Sequence, residues 1–352
     1  MQLTLLIPEL IWPEPDDQDA FADLASPALS ALLCRSRLTQ HSPQSFEAML
    51  TDAFGQPEDA PYAAFRRLGE AVATDDVPDS HWLCSDPVHL RYHEELLILA
   101  DSGSFDITLD DAEGLASELN RHFAEVGRFH VSGAERWYLQ TTNHSLLETR
   151  GVPPLSSMAG RSIDHERPVT AAQKALHKLL TEIQMLLHTH PINQKREAAG
   201  QMPINSLWLW GAGTLPPRRE CDFDGVWSNN ALARGLARAA GVPTHALPSD
   251  AATLFKHAAP DTHHCLVLED LLAPVQYEKR DAYRNALTGL EERWFTPVSA
   301  ALRSGRIERL RIEASTAYAL LTWDSTRRDQ RAFWKRPQSL HKIAQELAKH
   351  SG

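Results

Sequence analysis

The run Leu3-Thr-Leu-Leu-Ile7 is short, almost wholly apolar and cut off by Pro8. It is too short for a buried helix and lacks the polar alternation of a half-exposed strand, so it reads as a strand covered on both faces. Similar runs recur at 136–140, 206–210, 265–268, 310–312 and 319–323, with helical patterns between most of them. Ser26 to Leu33 reads as a helix with Ser26 as N-cap and Pro27 at its first position. Thr108-Leu-Asp-Asp opens another in the manner of a capping box, with Asp111 replacing the usual Glu. Its apolar stripe is Leu109, Ala112, Leu115, Ala116, Leu119 and Phe123, and Gly127 is expected to end it. Leu176, Leu179, Leu180, Ile183, Leu186 and Leu187 mark a helix over 170–188, stopped by Pro191. Asn230 to Ala240 precedes Gly241, a C-terminal helix signal. Asp281 to Leu302 reads as one long helix that Pro297 kinks or splits. The span 58–80 is polar and acidic and reads as irregular in part, and 146–168 reads as a loop or linker. Strands alternating with helices predict an α/β fold with a doubly wound, mainly parallel sheet.

With 352 residues, the chain is long enough for two domains or one domain with a large insertion. A net charge of -11 argues against nucleic acid or an anionic membrane as the main partner. No apolar run approaches the roughly 18 residues that a membrane span needs. The start MQLTLLIPEL has no basic leader, and Cys34, Cys84, Cys221 and Cys265 form no CxxC pair. Both features lead to the expectation of a cytoplasmic protein with reduced thiols.

Polar and aromatic residues concentrate between His188 and Gly213, HTHPINQKREAAGQMPINSLWLWGAG. His188 and His190 could share a metal ion, but further ligands are not evident nearby, and a histidine in a last helical turn also suits the helix dipole. Gly211-Ala-Gly213 begins like a phosphate-cradling loop, yet Pro216 and Pro217 follow where a helix N-terminus is needed. Trp208 and Trp210 share one face of a strand, as core residues or as a pocket wall. His263-His264 reads as a polar strand end or a pair of ligands. The chain contains no GxSxG, HExxH or Walker loop.

The order His190-Pro191-Ile192-Asn193, Arg196, Pro203-Ile204-Asn205, strand and Gly211-Ala-Gly213 resembles the cofactor-independent phosphoglycerate mutases of the archaeal type. So does Leu232-Ala-Arg-Gly-Leu-Ala-Arg-Ala-Ala-Gly241 after it, and Thr108 to Asn120 is similar to the helix of that family's insertion. The chain resembles still more closely a bacterial group of RpfE-type regulatory or phosphoglycerate-mutase-like proteins. It implies a fold of the alkaline phosphatase superfamily, with two divalent metals and a serine phosphorylated in turnover.

The chain departs from that pattern where the chemistry lies. The position of the first metal aspartate, in a Gly-Asp-Gly turn, falls on Pro8-Glu9-Leu10, and the nucleophile position falls on Ser42, followed by Pro43. A ligand run that carries histidine in the family falls on 269–276, EDLLAPVQ. The Asp-His-Ser-Thr ligand motif falls on Glu313-Ala314-Ser315-Thr316, and the arginine-rich phosphate-binding run on 100–104, ADSGS. From Cys265 to Leu340 there is no histidine.

The resemblance therefore implies a core over 1–100 and 168–352 with a smaller α/β insertion at 101–167, and a catalytically degenerate binding or regulatory protein. The expected cofactor is none, with weak magnesium or manganese binding at Glu9 and Glu313. Asn193, Arg196, Asn205 and Trp210 are the expected ligand-binding residues, gathered between the domains, with Arg196 the handle for a small phosphorylated or carboxylate ligand. The rival expectation is an active metal-dependent mutase or phosphatase using Glu9, Asp222, Asp224, His263 and His264 as replacement ligands.

Overall fold

The computed structural model describes residues 1–22, 24–57, 59–70, 80–143, 146, 151–163, 170–332 and 334–350. They form two compact units, Met1–Gly55 with Arg219–Gly352, and Gln56–Arg218.

The first unit is built on a seven-stranded sheet. Its strands are β1 (Gln2–Leu6), β2 (Arg37–His41), β8 (Gly225–Trp227), β9 (Thr244–His245), β10 (His263–Val267), β11 (Arg309–Ser315) and β12 (Leu320–Thr326), in the order β2-β12-β11-β1-β10-β8-β9. From β11 to β9 every pairing is parallel, and β12 and β2 are added antiparallel at one edge. The mainly parallel α/β sheet is thus present. Leu3, Leu5, Leu6 and Ile7 are buried, as a strand covered on both faces requires. The chain's polar Arg37-Leu-Thr-Gln-His41 gave no strand signal, and β2 is accordingly an exposed outermost strand.

Pro297 does divide the long helical segment. Helices Arg280–Leu290 and Thr296–Ser304 are joined by a π-helical turn, Glu291–Phe295. Proline has no N–H to give and its ring crowds the carbonyl four residues back, so the wider turn absorbs the mismatch. The turn also points the Glu291 carboxylate at the amides of Ala28 and Leu29, at 2.6 and 3.1 Å. These are open N–H groups at the start of helix Pro27–Arg35. Ser26 occupies the N-cap position of that helix, but its hydroxyl makes no capping bond there.

The second unit carries an antiparallel sheet of β3 (Trp82–His93), β4 (Leu96–Ala100), β5 (Arg128–Gly133), β6 (Arg136–Gln140) and β7 (Ser206–Gly213). The boundaries expected at 100/101 and 167/168 both lie inside this unit, because β3 hydrogen-bonds to β4, before the first, and to β7, after the second. Within 58–80 the segment Tyr62–Gly69 is helical, burying Ala63, Ala64, Phe65 and Leu68, and 71–79 lie outside the described residues. Of the span 146–168, the part 151–163 contains a short helix, Leu155–Met158, while 147–150 and 164–168 lie outside the described residues. Helix Leu109–His122 begins at Thr108 as expected but ends at Phe123, ahead of Gly127. Gly127 serves the turn into β5 instead: its φ is 155°, and a Cβ there would lie 2.2 Å from the Gln140 carbonyl oxygen. Helix Ala171–His188 starts with a full capping box of Thr170 and Gln173. Pro191 then opens a second helix, Pro191–Ala198, whose first turn is capped by the His190 ring, with Nδ1 accepting from the Ile192 amide at 3.2 Å.

Candidate functional site

Open α/β sheets place ligands beyond the carboxyl ends of their parallel strands, where the strand order reverses. In the first unit this edge is formed by the turns after β1, β8, β10 and β11. After β1 the chain passes Pro8 and Glu9, whose φ of 55° is left-handed for a side chain that rarely adopts it. The Glu9 amide donates to the Ser315 carbonyl at 2.8 Å. Leu10, Ile11 and Trp12 then turn inward and are almost completely buried in the main apolar core. The Tyr283 hydroxyl donates to the Leu10 carbonyl at 2.9 Å, and its ring lies 5.1 Å from that of Trp12.

After β8, Asn230 caps helix Ala231–Ala240 through Oδ1, which accepts from the Ala233 amide at 3.1 Å. Its Nδ2 donates to Glu269 Oε1 at 2.7 Å, just past β10. Burial pushes the Glu269 carboxyl up to about 7; the Asn230 bond opposes this, and the charges of Glu47 and Asp270 reinforce it. On β11, burial also raises the Glu313 carboxyl, against the pull of Arg311 at 3.6 Å. Glu9 is felt by Tyr283, whereas Glu313 is set among Arg311, Asp52 and Asp324. Ser42 lies in an exposed bend after β2, and its neighbour Ser45 caps helix Phe46–Ala53.

The replacement ligand set does not assemble. Asp222, Asp224, His263 and His264 lie at the amino ends of β8 and β10, while Glu9 follows the carboxyl end of β1. A five-residue strand at about 3.3 Å per residue separates the two edges by roughly 13 Å. Both histidines are also engaged. His263 Nδ1 faces the Asp222 carbonyl at 3.0 Å and must donate, so Nε2 accepts from the Thr4 hydroxyl at 2.9 Å. Trp227 Nε1 donates to His264 Nδ1 at 3.2 Å, and His264 Nε2 meets the Thr262 hydroxyl at 2.7 Å. Burial lowers the pKa of both rings, which keeps them neutral. Among the described residues, no three His, Cys, Asp or Glu side chains are grouped to hold a metal ion. A two-metal centre needs about six such donors on one edge, and the residues here do not fit it.

In the second unit, the residues expected to hold a ligand are bonded to the fold. Asn193, 1% exposed, donates to the Leu187 and Ile204 carbonyls and accepts from the Ile204 amide, at 2.7 to 2.8 Å. Asn205 bonds the amide and carbonyl of Leu90, both at 2.8 Å. Arg196, 4% exposed, donates to the Met202 and Asp106 carbonyls and to Asp111 at 3.2 Å. Trp210 Nε1 donates to Asp86 Oδ2 at 3.0 Å. These partners explain the residue types: each stitches a loop or strand where backbone alone leaves groups open. Arg196→Ala is accordingly expected to cost about 3 kcal/mol of stability in urea unfolding, since it strands Asp111 and two carbonyls. A thermal shift from phosphate or 3-phosphoglycerate that is present in the parent and lost in a stably folded Arg196→Ala protein would contradict this structural role.

Glu269, Asn230 and the buried pair Asp86–Arg66 are not evident from spacing. The available signals were the carboxylates that open 269–276 and an Asp-Pro inside the apolar run 82–90.

No family model matches the chain. Over 150 residues, 42% of the chain, it is 29% identical to the 2,3-bisphosphoglycerate-independent phosphoglycerate mutase of Methanosarcina mazei. Over 125 residues, 34% of the chain, it is 30% identical to the 2,3-bisphosphoglycerate-independent phosphoglycerate mutase 2 of Methanothermobacter thermautotrophicus. The matched segments span only 36% and 29% of those relatives' own lengths. The fold is similar to that of the PH0037 protein from Pyrococcus horikoshii, with a TM-score of 0.55 and 14% identity, covering 99% of this chain and 96% of that one. An α/β protein with a parallel core sheet and a second, antiparallel unit is thus related, in part of its length, to cofactor-independent phosphoglycerate mutases.

Proposed function

We propose that this chain is a catalytically degenerate relative of the cofactor-independent phosphoglycerate mutases, of the RpfE regulatory type, acting in the cytoplasm as a binding or regulatory protein. The observation that carries this reading is the separation of its candidate ligands. The carboxylates Glu9 and Glu269 follow the carboxyl ends of the strands, while His263 and His264 are bonded at the amino ends. The apolar side chains of Leu10, Ile11 and Trp12 fill the turn after β1. Carboxylates alone can hold magnesium or manganese loosely, with water completing the shell. A small phosphorylated or carboxylate ligand is the proposed small-molecule partner, although Arg196, the cation expected to hold it, already donates to Met202, Asp106 and Asp111.

Elemental analysis of the purified, dialysed protein tests the metal part of the proposal. It is expected to show well under one manganese, zinc, cobalt or magnesium ion per chain. About two retained metals per chain would overturn the reading and restore the metal-dependent enzyme.

A further inference from the structure

The outermost strand β2 of the first unit is exposed at all five residues, and its pairing with β12 runs without a bulge. It contains no proline. Natural sheets blunt such free edges with shortness, charges, prolines, bulges or covering segments, because open N–H and C=O groups invite another strand. Of these, the five-residue β2 has its shortness and the charge of Arg37, which an acidic strand would meet favourably. Beside β2 the charge of the molecule inverts. Residues 326–337 hold five basic side chains and one acidic one in a chain of net charge -11. The acidic one, Asp329, is occupied by the amide and hydroxyl of Thr326 at 2.8 and 2.7 Å. This segment is tied to the helix that leads into β2: Arg35 donates to the Gln330 carbonyl at 3.5 Å, and Cys34 Sγ lies 3.9 Å from the Lys335 carbonyl. Arg37, Arg328, Arg331, Lys335 and Arg336 are exposed, and none forms an ion pair among the described residues. Among the described residues, Leu38 and Trp334, 47% and 70% exposed, are the exposed large apolar side chains of this unit.

We propose that this edge docks an acidic peptide segment of a partner protein, which adds to β2 as a further strand while its carboxylates meet the surrounding cations. A free strand edge reads an extended peptide backbone, and side chains at alternate positions reach out to the flanking charges. A second copy of this chain is disfavoured as the occupant, since edge-to-edge pairing would set one basic patch against the other. A nucleic acid would meet a single exposed indole in a chain of net charge -11, and a membrane would find two exposed large apolar side chains among the described residues of this unit. The proposal stands on this surface and is independent of the reading of the sheet's carboxyl edge.

Fluorescence anisotropy of the full chain with a labelled peptide of alternating glutamate and valine tests it. Saturable binding that weakens with salt is expected, falling about tenfold in the double variant Arg328→Glu, Arg331→Glu. The same peptide with alternate amides N-methylated keeps its charge but cannot add to a sheet, and it is expected to lose binding as well. No binding of the parent peptide would overturn the proposal, and equal binding of the N-methylated peptide would overturn strand addition. Tighter binding of oligo-thymidine or phosphatidylserine vesicles, lost in the same double variant, would assign the patch to another partner and overturn it too.

Discussion

Asp86→Ala is expected to destabilise the protein by about 3–5 kcal/mol, the largest effect of any single polar substitution considered. Asp86 is 1% exposed and receives both arms of the Arg66 guanidinium at 2.6 and 2.8 Å. It also accepts from Trp210 Nε1 at 3.0 Å and from the Trp137 amide at 3.4 Å. Burial works against the charge on Arg66, and Asp86 more than restores it. Removing the carboxylate leaves a buried cation between the Tyr138 and Trp210 rings, 5.3 and 5.7 Å from their centres, with its main partner gone. Urea unfolding followed by tryptophan fluorescence reads the loss. The combined variant Arg66→Met, Asp86→Leu is expected to recover much of it, because apolar side chains of similar volume carry no desolvation penalty. A cost below about 1 kcal/mol for Asp86→Ala would show that the pair is solvated and the buried network is not as described.

Glu269→Gln is expected to stabilise the protein by about 2 kcal/mol near pH 8 and to change little near pH 5. Burial raises the Glu269 carboxyl from 4.5 to about 7, so the folded state binds a proton that the unfolded chain has released between those values. The stability this proton brings is fully present below about pH 4.5 and is lost as pH rises through about 7. Glutamine keeps an oxygen for Asn230 and removes the charge. His263 and His264 act with the opposite sign: their folded pKa values are lowered from 6.5, so they cost stability as pH falls below 6.5. The difference between Glu269→Gln and the parent protein, followed across pH, cancels the histidines and isolates the carboxyl. A difference that does not change with pH would contradict a raised Glu269.

The fold was legible where apolar patterning is strong. The run Leu3–Ile7, the stripes of 109–123 and 176–187 and the small-residue helix before Gly241 each match an element of the structure. Strands β2 and β3 were not legible, for different reasons. β2 is an edge strand whose polar residues carry no burial signal, and β3 has Pro87 and the buried Asp86 within it. Pro87 would break a strand judged by propensity alone, and Asp86 is admitted only because Arg66 and Trp210 complete it. The segment 188–213 shows the limit at the site. Its asparagines, arginine and tryptophan are chemically able to hold a ligand, yet Asn193 is bonded to the nearby Leu187 and Ile204, and Asn205, Arg196 and Trp210 to groups far away in sequence, Leu90, Asp106 and Asp86. Pairings of that kind depend on which strands meet, and local spacing does not contain them. Glu269 was masked in the same way, because its neighbours Asn230 and Glu47 arrive from two other helices.

The interconversion of 3-phosphoglycerate and 2-phosphoglycerate by the purified chain, with manganese, magnesium or cobalt added, tests the central claim most directly. No turnover above the uncatalysed rate is expected with any of the three metals, because the carboxylates at the carboxyl edge have no histidine beside them, His263 and His264 lying at the amino edge. Metal-dependent turnover that Glu9→Ala abolishes would contradict it.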